Sequence, residues 1–212
     1  MSRNRPPPDD FSVKPAKSKH RLQRSPDFTG GYLTRFGQVW LRHGLPGALL
    51  GLLCLAHPDM RQLLVDSLVG LSADPAKYFT VASLILIALT SYIVIIDRSI
   101  DAMSVGWILY VLAVSTWEEW VFRLAVPYFA QAQGASLLAA ILLSNLAFGV
   151  LHYFTLRWKW QWCVGAFVGG MLFSRMLETR GDLALVIAAH WISTFLNTPR
   201  PPGSPRRLRS FS

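Results

Sequence analysis

Long apolar stretches separated by short polar ones dominate the chain. They run from about Phe36 to Ala56, Tyr78 to Ile96, Met103 to Phe129, Ala135 to Phe154, Trp160 to Leu177 and Leu183 to Asn197. A helix needs roughly 20 residues to cross the hydrocarbon core of a bilayer, so the pattern predicts about six transmembrane helices. The first is the weakest span, because Arg42, His43 and Pro46 interrupt it. Between the first two, Met60, Leu63, Leu64, Val65, Leu68 and Leu71 alternate with Arg61 and Asp66, as in a short amphipathic helix lying on a surface. No repeat of fixed period is visible. The expected fold class is all-α, a polytopic transmembrane bundle, with a basic tail at 1–30, a helical domain at 31–197 and a second basic tail at 198–212.

Composition agrees with that reading. The chain is 52% apolar and only 16% charged, where soluble domains average roughly 25% charged residues, so it lacks the charge to cover a water-facing surface. The net charge of +9 is concentrated in the first 35 positions, the C-terminal tail and short connections. This distribution suits an anionic membrane face, and the expected partner is a lipid bilayer and no nucleic acid. Met1 to Thr29 carries prolines and lysines without an apolar run, which argues for a disordered cytosolic tail and against a cleaved signal peptide. Arg157 and Lys159 between the fourth and fifth stretches, and the arginines after Thr198, place both termini in the cytosol by the positive-inside rule. Arg61, Lys77, Arg175 and Arg180 run against this count, partly offset by nearby acids. Cys54 and Cys163 have no ligand-type spacing and read as packing residues.

Ionisable side chains inside spans are costly and mark function by default. The third stretch contains Trp117-Glu118-Glu119-Trp120-Val121-Phe122-Arg123. Glu119 and Arg123 are four residues apart and share a helix face, so they are placed to pair, whereas Glu118 points about 100° away and is left available as a general base. In the fourth stretch Asn145, Phe148, Gly149 and His152 share one face. His190, Thr194 and Asn197 do so in the last. Three helices thus offer inward polar stripes, with a carboxylate and two imidazoles able to hold and activate a water. His20, His43 and His57 read as surface or interfacial residues, and Gly165, Gly169 and Gly170 as a packing face for the fifth helix. There is no GxSxG elbow and no HExxH zinc helix.

The order EExxxR (Glu118, Glu119, Arg123), FxxxH (Phe148, His152) and a late histidine (His190) resembles the CPBP family, which groups type II CAAX prenyl proteases with bacteriocin-processing and immunity proteins. The resemblance covers about 107–197. It implies a helical membrane bundle enclosing a polar cavity and an endopeptidase acting on a peptide or protein substrate. By resemblance Glu118 is the water-activating glutamate, His152 its partner and His190 part of the oxyanion-stabilising group, with Glu119, Arg123 and Phe148 in support. The same resemblance implies a glutamate-type mechanism with no cofactor and no obligatory metal, although one glutamate and two histidines could also bind zinc. Bacterial relatives that mature small peptides or process C-terminal sorting segments suggest the bacterial inner (plasma) membrane. The last motif commonly reads HxxxN, and here position 194 is threonine, so the oxyanion site is weaker or is completed by Asn145 or Asn197.

Counting along ideal helices puts His152 about 20 residues into its span and His190 about 8, a depth difference near 18 Å. A non-catalytic scaffold or immunity protein keeping the same fold is the alternative function, favoured by Thr194. A proton-coupled transporter is a third, weakened by the absence of paired broken repeats.

Overall fold

The structure, a computed structural model, describes residues 33–97 and 100–202. Most of the two expected tails lies outside the described residues. Among the described residues the secondary structure is entirely helical. Helix α1 (Phe36–Cys54) bends by 106° into α2 (Pro58–Ser67), where Pro58 opens the new helix and the Arg61 guanidinium donates to the Leu55 and Ala56 carbonyls. Then follow α3 (Val69–Ala73), α4 (Pro75–Asp97), α5 (Ala102–Glu119), α6 (Val126–Ala132), α7 (Leu137–Thr155), α8 (Trp160–Arg180) and α9 (Leu183–Asn197).

Local chemistry sets these ends. Asp101, Ser136 and Asp182 each accept a backbone N–H from the first turn of α5, α7 and α9, the usual remedy for unpaired N-terminal donors. Gly181, at φ 61°, ends α8 in the left-handed conformation that glycine adopts without penalty. Two helices carry wide π turns, Trp40–Gly44 within α1 and Trp120–Ala125 joining α5 to α6. Such turns are rare and concentrate at functional sites.

Two helices, Pro75–Ile96 and Leu137–Thr155, are long and apolar enough to cross a membrane, and a third if the bent α1–α2 pair counts as one span. Of the other expected spans, the third carries Glu118, Glu119 and Arg123 at its middle, the fifth ends in Arg175, Glu178 and Arg180, and the sixth is the 15-residue α9. Large apolar side chains such as Leu84, Ile87 and Ile95 on α4, and Leu138, Leu143 and Leu146 on α7, face outward. An exposed apolar area of this extent marks a contact surface.

The interior has two apolar clusters. One gathers Val39, Trp107, Ile108, Val111, Val114, Trp191 and Phe195; the other gathers Met60, Trp120, Val121, Phe122, Phe148 and Leu183. Met60 is fully buried in the second, so the Met60–Leu71 stretch is no simple surface helix. It breaks at Leu68 and drives its first turn into the core. An indole donor braces each cluster, Trp191 to the Ile108 carbonyl at 3.1 Å within the first and Trp120 of the second to the Gly51 carbonyl at 3.0 Å. The Ser144 hydroxyl of α7 donates to the Phe122 carbonyl in the second π turn at 2.5 Å. Around this core α8 lies along α7, and α9 lies along α5.

Candidate active site

Glu118 and Glu119 end α5, immediately before its π turn, and both are buried. Consecutive residues on a helix point about 100° apart, so the two carboxylates enter different environments. Glu119 turns to Arg123, whose Nε lies 2.9 Å from Oε2 and whose Nη2 donates to Oε1 at 3.2 Å. The guanidinium also lies over the Phe148 ring, 4.7 Å from its centroid. A buried guanidinium is well served by a carboxylate on one side and an aromatic face on the other.

Glu118 turns instead toward a cavity of about 470 Å³ whose lining includes His43, Phe148, His152, Trp158, Phe173 and His190. Three imidazoles surround its carboxylate. Nε2 of His43 lies 3.0 Å from Oε1, Nε2 of His152 lies 3.7 Å from Oε1, and Nε2 of His190 lies 3.7 Å from Oε2. The other ring nitrogen of each histidine is held from behind. His152 Nδ1 donates to the Phe148 carbonyl at 2.7 Å, and His190 Nδ1 donates to Glu119 Oε1 at 2.6 Å. His43 Nδ1 meets the Thr155 hydroxyl at 3.1 Å. Anchoring one ring nitrogen fixes the direction and tautomer of the other. In consequence the Nε2 edges of His152 and His190 face the carboxylate with a free lone pair whenever the rings are neutral.

Aromatic packing holds the rings in place. The His152 ring sits 4.6 Å from Trp158 and 4.6 Å from Phe148, and the His190 ring 5.1 Å from Phe173. His152 and His190 therefore reach one carboxylate despite the expected 18 Å difference in depth. The helix bounds are close to those expected, so α7 and α9 are not the level, parallel helices that the count assumed.

The structure places the remaining sequence candidates differently. Thr194 and Asn197 line the same cavity. Asn145 lies behind it, donating to the Ile141 carbonyl at 2.9 Å and to the Ser174 hydroxyl at 3.0 Å. Gly170 packs so closely on Asn145 that a Cβ there would sit 2.2 Å from Oδ1, whereas Gly165 and Gly169 have nothing within 4 Å and border the cavity. The expected glycine packing face is thus split between one packing position and two that leave space. His43 is the larger correction. Read from sequence as interfacial, it is the histidine in closest contact with Glu118. A signal was present in Gly44, Gly47 and Gly51, spaced along one face of α1. Cβ atoms at Gly44 and Gly47 would sit 2.8 Å from the Tyr110 ring and 2.6 Å from Trp117 Nε1, and one at Gly51 would be 3.3 Å from the Trp120 ring. These glycines let α1 approach α5, and His43 comes with it.

Among the described residues, the one group of His, Cys, Asp or Glu close enough to share a cation is His43, Glu118 and His152, with one atom from each within 4.8 Å of the others. The same spacing suits a shared proton or a held water. Fold and site together define an all-helical protein of membrane type whose buried centre combines two adjacent glutamates with imidazoles. Residues 100–196 match the family described as type II CAAX prenyl endopeptidase Rce1-like. That match agrees with the resemblance carried by the EExxxR, FxxxH and late-histidine motifs. No curated protein and no solved structure matches the chain.

Proposed function

We propose that the chain is an integral membrane endopeptidase in which Glu118 activates a water against a peptide carbonyl. The observation that carries this reading is the buried Glu118 carboxylate, facing an apolar-walled cavity and ringed by three imidazoles. A water beside Glu118 and the free Nε2 edge of His152 gives up its proton to this pair as its oxygen attacks the peptide carbon. The carbonyl oxygen then gathers negative charge, and His190, held by Glu119, faces the same space and donates to it when protonated. Thr194 and Asn197 supply further donors along the cavity wall. As the C–N bond breaks, the leaving nitrogen takes up the proton first removed from water.

Glu119 and Arg123 have a supporting role. Their pairing neutralises a second buried charge and sets the His190 ring. The substrate is a peptide or protein terminus entering from a lipid-facing side, and the scheme uses no metal and no cofactor. The protein has six spans, sits in a bacterial inner membrane and keeps both termini in the cytosol. Comparing peptide and protein termini in membranes carrying the wild type or Glu118→Gln tests this. Uncut precursors should accumulate with the variant; identical termini, with both proteins folded, would favour a non-catalytic scaffold, the reading that Thr194 in place of an amide supports.

A further inference from the structure

We infer that His43 is a positioning residue for Glu118, contributed by α1 from outside the segment that carries the family motifs. The inference rests on the endopeptidase reading above and adds a side chain to its machinery. Among the described residues, His43 is the one histidine at hydrogen-bonding distance from Glu118, 3.0 Å against 3.7 Å for both His152 and His190. A contact of 3.0 Å between a ring nitrogen and an ionised carboxylate requires a proton between them, so Nε2–H donates to Oε1.

The other ring nitrogen is compatible with that assignment in either protonation state. Thr155 Oγ1 also lies 2.8 Å from the Leu151 carbonyl, the usual partner of a helical threonine hydroxyl. With its proton committed there, the hydroxyl oxygen receives Nδ1–H of a doubly protonated ring. With its proton turned to Nδ1 instead, the ring is neutral and still carries its hydrogen on Nε2. Both arrangements leave Nε2–H pointing at Glu118.

A second set of contacts fixes the segment that carries this donor. The neighbouring Arg42 donates to the Phe154 carbonyl at 3.0 Å and to the Thr155 carbonyl at 3.4 Å. These are carbonyls at the C-terminal end of α7, where helices leave acceptors unpaired and favour a cation. Arg42 and His43 both lie in the π turn of α1, whose widened backbone lets consecutive residues address the end of α7 and Glu118. The groups facing His43 are Glu118 from α5 and His152 and Thr155 from α7, with the His152 ring 5.4 Å away.

The consequence for Glu118 is rotational. With Oε1 held by His43, the carboxylate plane is fixed and Oε2 is the oxygen turned to His190 and the cavity. His152 and His190, at 3.7 Å, make no competing hydrogen bond to Glu118 and keep their Nε2 edges for water and substrate. Loss of the His43 donor frees the carboxylate to rotate toward either ring, so the chemical step slows while substrate binding persists.

The test compares precursor processing in membranes carrying wild type, Glu118→Gln, His43→Leu, His43→Gln and Thr155→Val, followed by pulse-chase and by mass spectrometry of termini. Misplacing a catalytic group by about 1 Å costs about a hundredfold in rate. His43→Leu should slow processing of the precursors that accumulate with Glu118→Gln by about that factor, with saturation at unchanged precursor level. His43→Gln, whose amide also presents a donor near the Nε2 position, should recover most of the rate, and Thr155→Val should fall between. A purely structural histidine would show no rescue by glutamine. Should His43→Leu fail to fold, the Thr155→Val and His43→Gln rates decide alone, and wild-type rate in Thr155→Val with none in His43→Gln overturns the inference. Loss in Glu118→Gln with wild-type rate in His43→Leu removes His43 and leaves the endopeptidase reading standing. No change in Glu118→Gln removes both.

Discussion

Replacing Gly170 by alanine asks whether the close approach of α8 to α7 supports the buried glutamate pair. The added Cβ would sit 2.2 Å from Asn145 Oδ1 and 3.2 Å from Arg123 Nη2. Ordinary contact begins at 3.4 Å, so the helices must part by about 1.2 Å or Asn145 must move. Asn145 is poorly placed to yield, being fully buried and donating to Ile141 and Ser174. Breaking either bond costs about 1 kcal/mol, and overpacking of a tight interior costs about 1–3 kcal/mol. The expected loss is therefore near the upper end, about 3 kcal/mol. Arg123, crowded from the same side, would move with it and loosen the Glu119 and His190 contacts. Thermal unfolding in detergent of Gly170→Ala beside Gly165→Ala and Gly169→Ala reads this directly, since the two controls have nothing within 4 Å of a new Cβ. The controls should melt at or slightly above the wild type, since alanine favours a helix interior over glycine by about 0.5–1 kcal/mol. An unchanged midpoint for Gly170→Ala, or an equal fall in all three, would refute the packing argument.

Arg123→Met should destabilise the protein by about 3–5 kcal/mol by stranding the buried Glu119 carboxylate, and the double variant with Glu119→Gln should recover most of that loss in the same unfolding assay. A transition-metal chelator should leave processing in isolated membranes unchanged, because the proposed chemistry uses Glu118 and imidazole; inhibition reversed by one added metal would show that His43, Glu118 and His152 hold an ion instead.

Much of the candidate site's arrangement was legible because membrane burial makes ionisable residues conspicuous. Glu119 and Arg123, four residues apart on one helix face, announce their pair, and Glu118 announces its separate direction. Helix bounds were legible for α9, where the apolar run and the Asp182 cap coincide. Two things were hidden for physical reasons. Relative depth depends on how each helix tilts and packs against its neighbours, which no local pattern reports. The role of His43 depends on a π turn and on Gly44, Gly47 and Gly51 admitting α1 to α5. Seen alone, Arg42, His43 and Pro46 read as interruptions of a weak span. Only the tertiary approach makes it part of the site.

Hydrolysis in ¹⁸O-labelled water tests the central claim most directly. Membranes carrying the wild type or Glu118→Gln are incubated in the label, and newly formed C-termini are measured by mass spectrometry. A set of termini should gain ¹⁸O with the wild type and remain unformed with Glu118→Gln. The same labelled termini in both membranes, with both proteins folded and present at equal level, would contradict it.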